Sequence, residues 1–257
     1  MIKKILKITR NLTILVIGIT SLYLINLFYM KPFSIDHFLG KELAMELVDS
    51  PEALTYIGIF DRFNWFTKHN SKLSIPEEGD LENEINKTKE IIRNLYKYED
   101  VNLSDTQKST KKIAIFDYEN NLKELQDFPY HDYPLNQIGG IHLNTIEFMS
   151  DMHPVRNKNE ANDFIKRVNL IKEVYEGIAT ELEKQSEAGI FPPEFVYVRV
   201  IEQLNEFINY SYNEHPLYNQ FNKKVLLLNL SDEEEEFFKN AIKNSIDKSV
   251  TPGFKIL

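Results

Sequence analysis

The sequence predicts an all-α protein in which one N-terminal transmembrane helix is followed by a multi-helix domain. Three observations predict this fold class. A long uncharged segment follows a basic N-terminus, apolar residues recur at intervals of three and four along most of the remaining chain, and strand-like alternation hardly occurs. With 257 residues, of which 42% are hydrophobic, the chain can bury a sizeable core.

The first predicted element is a membrane anchor. The basic residues Lys3, Lys4, Lys7 and Arg10 precede an uncharged segment from Leu12 to Met30. As a helix this segment would be about 28 Å long, close to the ~30 Å hydrocarbon core of a bilayer. The prediction is weakened by the polar residues within this segment, which are Thr13, Thr20, Ser21 and Asn26. A cleaved signal peptide and a buried helix are the alternatives, although a small-residue cleavage site is lacking.

The distribution of positive charge predicts the topology. Basic residues concentrate before the apolar segment and only Lys31 follows it directly, so the N-terminus should lie in the cytoplasm. Residues 1–31 are then a cytoplasmic tail with its anchor, and residues 32–257 form an extracytoplasmic domain of a single-pass, bacterial membrane protein. The chain has no cysteine, which excludes disulfides, thiolate metal sites and a lipid-modified cysteine.

The extracytoplasmic part is acidic. Residues 1–31 hold five basic and no acidic side chains, which leaves 25 basic and 39 acidic ones in residues 32–257, a net charge of −14. Nucleic-acid binding depends on clustered Lys and Arg that neutralise phosphates, so a nucleic-acid partner is not expected. The same charge argues against a second, peripheral contact with the membrane.

Helix start signals divide the acidic part into segments. Asp80 can cap one helix, and Ser104 with Gln107 forms a capping-box pattern at the start of another. Ser231 with Glu234 repeats this pattern near the C-terminus, where further acidic residues favour the positive end of the helix dipole. These signals predict helices after residues 80, 104 and 231.

The longest periodic run begins after Asn159 and continues to Leu182, which predicts one continuous helix that Gly189 ends. Pro192 and Pro193 then start the next helix. The apolar positions predicted for that helix are Phe195, Val198, Ile201, Leu204 and Ile208.

The irregular region from residue 128 to residue 155 contains the richest chemistry. His131, His142 and His153 recur every eleven residues, so an unbroken helix would bring them near one face. Pro134 and the pair Gly139–Gly140 oppose such a helix, and zinc sites usually have tighter spacing. Surface or hydrogen-bonded histidines are therefore favoured over a metal site with Asp132, Glu147 and Asp151. The glycine pair either lets a ligand approach the backbone or supplies a turn.

An aromatic cluster surrounds the only tryptophan, Trp65. Its other members are Phe60, Phe63 and Phe66. Large aromatic side chains dominate protein cores, so the cluster is predicted to be buried rather than to form a platform for a ligand.

Three segments carry a resemblance to a known family. Phe128–Leu143 reads Phe-Pro-Tyr-His-Asp-Tyr-Pro-Leu-Asn-Gln-Ile-Gly-Gly-Ile-His-Leu, Glu187–Phe195 reads Glu-Ala-Gly-Ile-Phe-Pro-Pro-Glu-Phe, and Val200–Leu204 reads Val-Ile-Glu-Gln-Leu. Over roughly residues 34–257 the chain resembles the first half of the bacterial "domain of unknown function 885" family. Members of that family look like helical zinc metallopeptidases with a His-Glu-x-x-His-type motif in their second half, and this chain has no such motif.

The resemblance implies the N-terminal half of a helical zincin-like fold, with zinc bound by the complete fold and no cofactor in this chain. No catalytic, cofactor-binding or metal-binding residue can be carried over. The residues that could line a cleft are Gln137, Gly139, Gly140, His142 and His153. The expected function is the membrane-anchored part of a metal-dependent hydrolase that is not catalytic alone. Its partners would be the missing C-terminal half or a peptide substrate, and the alternative is a non-catalytic, membrane-anchored helical binding module.

Overall fold

The computed structural model describes residues 2–257, with side chains from residue 4 onward. It is 76% helical and contains no strand in the described residues, which confirms the all-α prediction. The α-helices described are α1 Ile2–Tyr29, α2 Ile35–Asp49, α3 Pro51–Ile57, α4 Asn64–Thr67, α5 Asp80–Tyr96, α6 Asp105–Asp127, α7 Ile141–Glu147, α8 Lys158–Asn169, α9 Ile171–Glu187, α10 Glu194–Asn209, α11 Pro216–Leu226, α12 Asp232–Ser245 and α13 Thr251–Ile256. Single π-helical turns follow α7 at Phe148–Met152 and α12 at Ile246–Val250.

Helix α1 has the length and composition of a membrane span or signal anchor. The segment Lys4–Tyr29 reaches a mean hydropathy of 2.0, and only 6% of its most apolar window is buried against the rest of the chain. The polar Asn26 near its end is itself buried, and its side-chain amide donates to the carbonyl oxygen of Lys31 at 2.8 Å. Its oxygen accepts from the Phe33 amide at 2.9 Å, so this polar residue fixes the exit from the helix.

The chain forms two compact units. The smaller comprises residues 1–46 with 82–127, and the larger comprises residues 47–81 with 128–257. The division of the chain into anchor and extracytoplasmic domain at residue 31 stays a prediction.

The smaller unit has a core between α2 and α5. Its buried residues are Ile35, Phe38, Ile91, Leu95 and Tyr98. The Tyr98 hydroxyl donates to the carbonyl oxygen of Pro32 at 2.9 Å, which holds the segment after α1 against α5. Burial raises the pKa of Tyr98 to about 12, so the hydroxyl remains a donor at any physiological pH.

The larger unit buries the apolar faces of α8 to α13 in one core. Phe164 of α8 stacks on Phe221 of α11 with ring centroids 4.6 Å apart, and Phe221 meets Phe238 of α12 edge to face. The Ser231 capping box is present in full, and Gly189 has the left-handed φ of 73° that ends a helix. These two local predictions are confirmed.

The periodic run after Asn159 is two helices rather than one. It breaks at Leu170, between α8 and α9, where the freed backbone groups find a partner in the π-helical turn after α12. The Ser249 hydroxyl accepts from the Lys172 amide at 3.0 Å and donates to the Asn169 carbonyl at 3.0 Å. Periodicity alone misses this break because the apolar spacing continues across it.

The buried face of α10 differs in part from the predicted one, since Leu204 is buried and Ile208 packs against the core as predicted, but the other three predicted positions do not. Phe195, Val198 and Ile201 are 49–61% exposed, whereas the buried positions of this helix are Val196, Val200 and Leu204. Both faces of α10 are apolar, so the sequence pattern does not identify the side that packs against the core.

The aromatic cluster around Trp65 is exposed, and the prediction that it forms core was wrong. Trp65 and Phe66 are each 75% exposed and Phe63 is 54% exposed. The segment between α3 and the buried Leu73 consists of short turns. Polar side chains on the core side of this segment bind its backbone. Its aromatic side chains consequently point away from the core.

Candidate functional site

An apolar groove of about 380 Å³ lies in the larger unit between α9, α10 and the loop that precedes α7. Ala179 and Leu182 of α9 form one side, Val200 and Ile201 of α10 form another, and Tyr133 of the loop lies at its edge. Sites for small molecules and peptide side chains are concave, mostly apolar and equipped with a few polar groups. The groove has this character.

Two glutamines fix the loop beside the groove. The buried side-chain amide of Gln185, on α9, donates to the carbonyl oxygens of Tyr130 at 2.8 Å and Asp132 at 2.5 Å. Gln203, on α10, donates to the carbonyl oxygen of Gln137 at 3.1 Å. The loop is therefore positioned by the same two helices that form the sides of the groove.

Turn hydrogen bonds occupy the backbone amides around the glycine pair. The Asn136 side-chain oxygen accepts from the amides of Ile138 at 3.1 Å and Gly139 at 2.8 Å, and the Asn136 carbonyl accepts from the Gly140 amide at 3.1 Å. A Cβ on Gly140 would lie 2.5 Å from the Asn136 carbonyl oxygen and 2.7 Å from the His142 ring. Close packing explains this glycine, and neither glycine of the pair has a positive φ.

His142 connects this turn to α10. Its Nε2 lies 3.0 Å from the Gln203 side-chain oxygen and donates to it, since the Gln203 amide nitrogen is directed at Gln137. Its Nδ1 is buried and has no hydrogen-bond partner. Burial lowers the pKa of His142, against a smaller opposing effect of the Gln203 bond, so the ring is neutral at pH 7.

His153 lies elsewhere, beside a buried arginine of α8. Arg167 is fully buried and its Nη1 donates to His153 Nδ1 at 3.0 Å. The other ring nitrogen faces the Glu160 carbonyl at 3.4 Å. Burial, and then the charge of Arg167, hold the pKa of His153 well below its usual value, so this imidazole is neutral and its lone pair is occupied.

Arg167 ties α8 to the segment that follows α3. Its guanidinium donates to the carbonyl oxygens of His69 and Lys72, both at 2.6 Å, and to the Thr55 hydroxyl at 3.0 Å. Burial lowers the pKa of Arg167 to about 10, which still leaves it charged at pH 7. A buried charge satisfied by neutral acceptors fixes the positions of those acceptors, because releasing any one of them costs free energy.

One group of side chains near Arg167 has the order of a hydrolytic triad. The Thr67 hydroxyl lies 2.6 Å from His69 Nδ1, and His69 Nε2 lies 3.5 Å from a carboxylate oxygen of Asp61. The His69 ring is only 1% exposed, and the Thr67 hydroxyl also contacts the Phe63 carbonyl of its own turn at 3.4 Å. The carbonyl oxygen of the same histidine accepts from Arg167, so the group belongs to the buried polar contacts of this segment.

Among residues 2–257, no group of three or more His, Asp or Glu side chains is arranged to hold a metal ion. Of the five residues predicted as candidates to line a cleft, Gln137, Gly139, Gly140 and His142 lie together in the turn before α7 and at its start, and His153 does not join them. Their role in a complete family fold stays a prediction.

The comparisons with known proteins agree with this architecture. The family described as "Bacterial protein of unknown function (DUF885)" matches residues 51–257. The chain belongs to this family. No curated protein matches the chain. The crystal structure of a "putative lipoprotein" from Colwellia psychrerythraea superposes with a TM-score of 0.69 at 15% sequence identity. The superposition covers 84% of this chain but 40% of the Colwellia chain.

The DUF885 region thus contains both the groove and the Arg167 cluster, which consists of Arg167 with its partners Thr55, His69, Lys72 and His153. The sequence analysis identified neither. One signal for the cluster is visible in the sequence. Arg167 occupies a position of the apolar repeat between Phe164 and Ile171, so its side chain is expected on the buried face of the helix, where a charge needs polar partners. The groove has no comparable signal, since its sides come from segments far apart in the sequence.

Proposed function

We propose that this chain is the membrane-anchored N-terminal part of a zinc-metallopeptidase-like protein and that it forms one wall of the substrate cleft. The observation that carries the proposal is the α10 stripe, which consists of Phe195, Val198 and Ile201. The stripe is exposed, has helical spacing, and continues into the groove through Ile201. An apolar stripe of this kind is what a helix presents to a neighbouring element of a fold.

The superposition on the Colwellia psychrerythraea protein supports the proposal, since it covers 84% of this chain but 40% of that chain. In the complete fold, the zinc ligands and a glutamate base would come from the second half. Among residues 2–257 no set of His, Asp and Glu side chains fits a zinc ion. What this chain would contribute is binding: the groove takes an apolar side chain of an extended peptide and excludes water around it.

Helix α1 would hold this assembly at the membrane, with the N-terminus in the cytoplasm and residues 32–257 outside. Its mean hydropathy of 2.0 and the basic residues before it support this topology. Extracytoplasmic peptides would then be the substrate class.

The second candidate is a non-catalytic, membrane-anchored binding module of the same shape. The observation that favours this candidate is that residues of the larger unit alone form the groove. Gln185 and Gln203, which belong to the same unit, fix the loop beside it. In this case the groove and the α10 stripe bind a peptide or protein that is not cleaved.

The groove is tested in the purified full chain in detergent, with fluorescent peptides that carry single aromatic or branched aliphatic side chains. Ala179 lines the groove, so Ala179→Phe fills it, and we expect peptide binding to weaken about tenfold or more, which corresponds to ~1.4 kcal/mol. The matched control is Thr180→Phe. Thr180 is the next residue of α9 and is exposed, so this variant should bind the peptides like the unmodified chain.

Zinc content and peptidase activity separate the two candidates from a third outcome. Both candidates predict no hydrolysis by this chain alone. Stoichiometric zinc together with chelator-sensitive hydrolysis would overturn both, because the active site would then lie within residues 1–257. Zinc-dependent hydrolysis that appears only when the second half of a family member is supplied would favour the first candidate over the second.

A further inference from the structure

The segment 56–72 displays a group of exposed aromatic and aliphatic side chains. Trp65 and Phe66 are each 75% exposed, Tyr56 is 71% exposed and Ile59 is 69% exposed. The Trp65 and Phe66 rings also pack on each other edge to face, with centroids 5.9 Å apart. Exposed apolar surface of this extent marks a site of interaction with a protein or a membrane.

The backbone that carries these side chains is held in place. Asn64 donates to a carboxylate oxygen of Asp163 at 2.9 Å and accepts from the Asn70 amide at 3.1 Å. Arg167 binds the carbonyl oxygens of His69 and Lys72 from the core side. The aromatic side chains are thus displayed from a fixed scaffold, and little conformational entropy would be lost when they are covered.

The charges of the segment differ from those of the rest of the chain. Arg62, Lys68 and Lys72 are exposed, and none of them forms an ion pair with another described residue. The one acid of the segment, Asp61, is paired with Arg156 at 2.8 Å.

The acids on neighbouring elements face other cations. Asp163 contacts Lys166 at 2.9 Å besides Asn64, and the charge of Glu52 acts on the buried Arg167, whose pKa it raises against the larger effect of burial. Within an acidic chain, segment 56–72 therefore presents uncompensated positive charge beside its aromatic side chains.

We propose that segment 56–72 docks on the surface of the lipid bilayer in which α1 is anchored. Tryptophan and tyrosine favour the interface between headgroups and acyl chains, and amphipathic surfaces insert there by ~5–10 Å. Arg62, Lys68 and Lys72 match anionic headgroups. This proposal departs from the expectation based on net charge, which argues against a second membrane contact but averages over the whole domain.

The proposal rests on the anchor assigned to α1 in the proposed function. About 25 residues separate the end of α1 from Tyr56, so the anchor makes contact of the segment with the bilayer an intramolecular event, for which even a weak affinity suffices. Extraction of membranes with alkaline carbonate reports on the anchor alone. A carbonate-soluble chain would remove the anchor, and with it the basis of this inference, whatever the segment does.

The test uses the full chain reconstituted in vesicles, because Trp65 is its only tryptophan. The vesicles contain phosphatidylcholine alone or equal parts of phosphatidylcholine and phosphatidylglycerol, with a spin label near the top or near the end of the acyl chain. We expect blue-shifted Trp65 emission that the shallow label quenches more than the deep one, and more strongly in the anionic vesicles. Arg62→Gln and Lys68→Gln should each lower the ratio of docked to undocked protein about fivefold in anionic vesicles.

The matched control moves the tryptophan to another exposed aromatic position of the larger unit. Phe237 of α12 is 61% exposed, and Phe237→Trp in a Trp65→Phe background should show little quenching by either label. Equal quenching at both positions would overturn the proposal, because general proximity to lipid would explain it. Trp65 emission that is shielded from a soluble quencher but unaffected by the lipid labels would also overturn it, and would assign the segment to a protein contact.

Discussion

The α10 stripe and segment 56–72 both expose large apolar side chains, but they are built differently. The stripe belongs to a regular helix whose other face packs into the core through Val200 and Leu204. Segment 56–72 consists of short turns, and Asn64 and Arg167 fix its backbone through buried polar contacts. A regular stripe suits packing against another helix, whereas a turn-rich aromatic surface with basic residues suits an interface with headgroups.

The difference shows that exposed apolar area alone does not identify a partner. The elements that hold the surface and the charges beside it are needed as well. Segment 56–72 depends on contacts between residues almost a hundred positions apart, such as Asn64 with Asp163, while α10 keeps its helical form through local hydrogen bonds. The two surfaces should therefore respond to different substitutions.

Removal of the Arg167 guanidinium should produce the largest effect. Arg167→Met leaves the carbonyl oxygens of His69 and Lys72, the Thr55 hydroxyl and His153 Nδ1 without this donor, and we expect a loss of at least about 3 kcal/mol in the free energy of unfolding. Urea denaturation followed by far-UV circular dichroism measures the loss. Amide exchange should rise first in residues 56–72, while α10 stays protected.

Lys166→Met is the matched control for this variant. Lys166 is exposed and its ion pair is with Asp163, which keeps its hydrogen bond from Asn64 when Lys166 is replaced, so the free energy of unfolding should change by less than about 1 kcal/mol. If Arg167→Met increased exchange in α10 as much as in residues 56–72, the two surfaces would not be independent, and the comparison between them would fail.

A smaller effect is expected at the turn beside the groove. Gly140→Ala places a Cβ 2.5 Å from the Asn136 carbonyl oxygen, an overpacking that should cost about 1–3 kcal/mol and shift the loop that Gln203 holds. Peptide binding in the groove should weaken, while Trp65 emission stays unchanged. Gly139→Ala is the control, because its nearest neighbour would be the Asn144 side chain at 3.9 Å. Equal effects of the two substitutions would contradict the packing explanation of Gly140.

The elements of the fold could be predicted from the sequence where local signals decide them. The capping box at Ser231 and the left-handed Gly189 both lie where the sequence places them, because a cap depends on residues within one turn. The apolar length of α1 is likewise a local property. These predictions needed no knowledge of the tertiary structure.

The burial of particular side chains could not be predicted in the same way. Tryptophan is a residue type that is usually part of a core, yet Trp65 is exposed, and it is its neighbour Asn64 whose side chain bonds to the distant Asp163. The groove needs the loop at Tyr133, α9 and α10 together, and the sequence does not state which face of α10 meets the others. Long-range contacts of this kind decide both the site and the surface, so a helical pattern alone leaves them open.

The smallest expected effect tests whether the aromatic segment contributes to stability at all. Trp65→Ala removes the largest side chain of the segment, but the ring is 75% exposed, so the free energy of unfolding in detergent should change by less than about 0.5 kcal/mol. Phe221→Ala removes a fully buried ring that stacks on Phe164, and it should cost about 3–5 kcal/mol. Both values come from urea denaturation followed by circular dichroism. A cost for Trp65→Ala comparable to that of Phe221→Ala would mean that Trp65 is covered by protein in the folded chain, and the membrane contact inferred for residues 56–72 would then have no free surface to use.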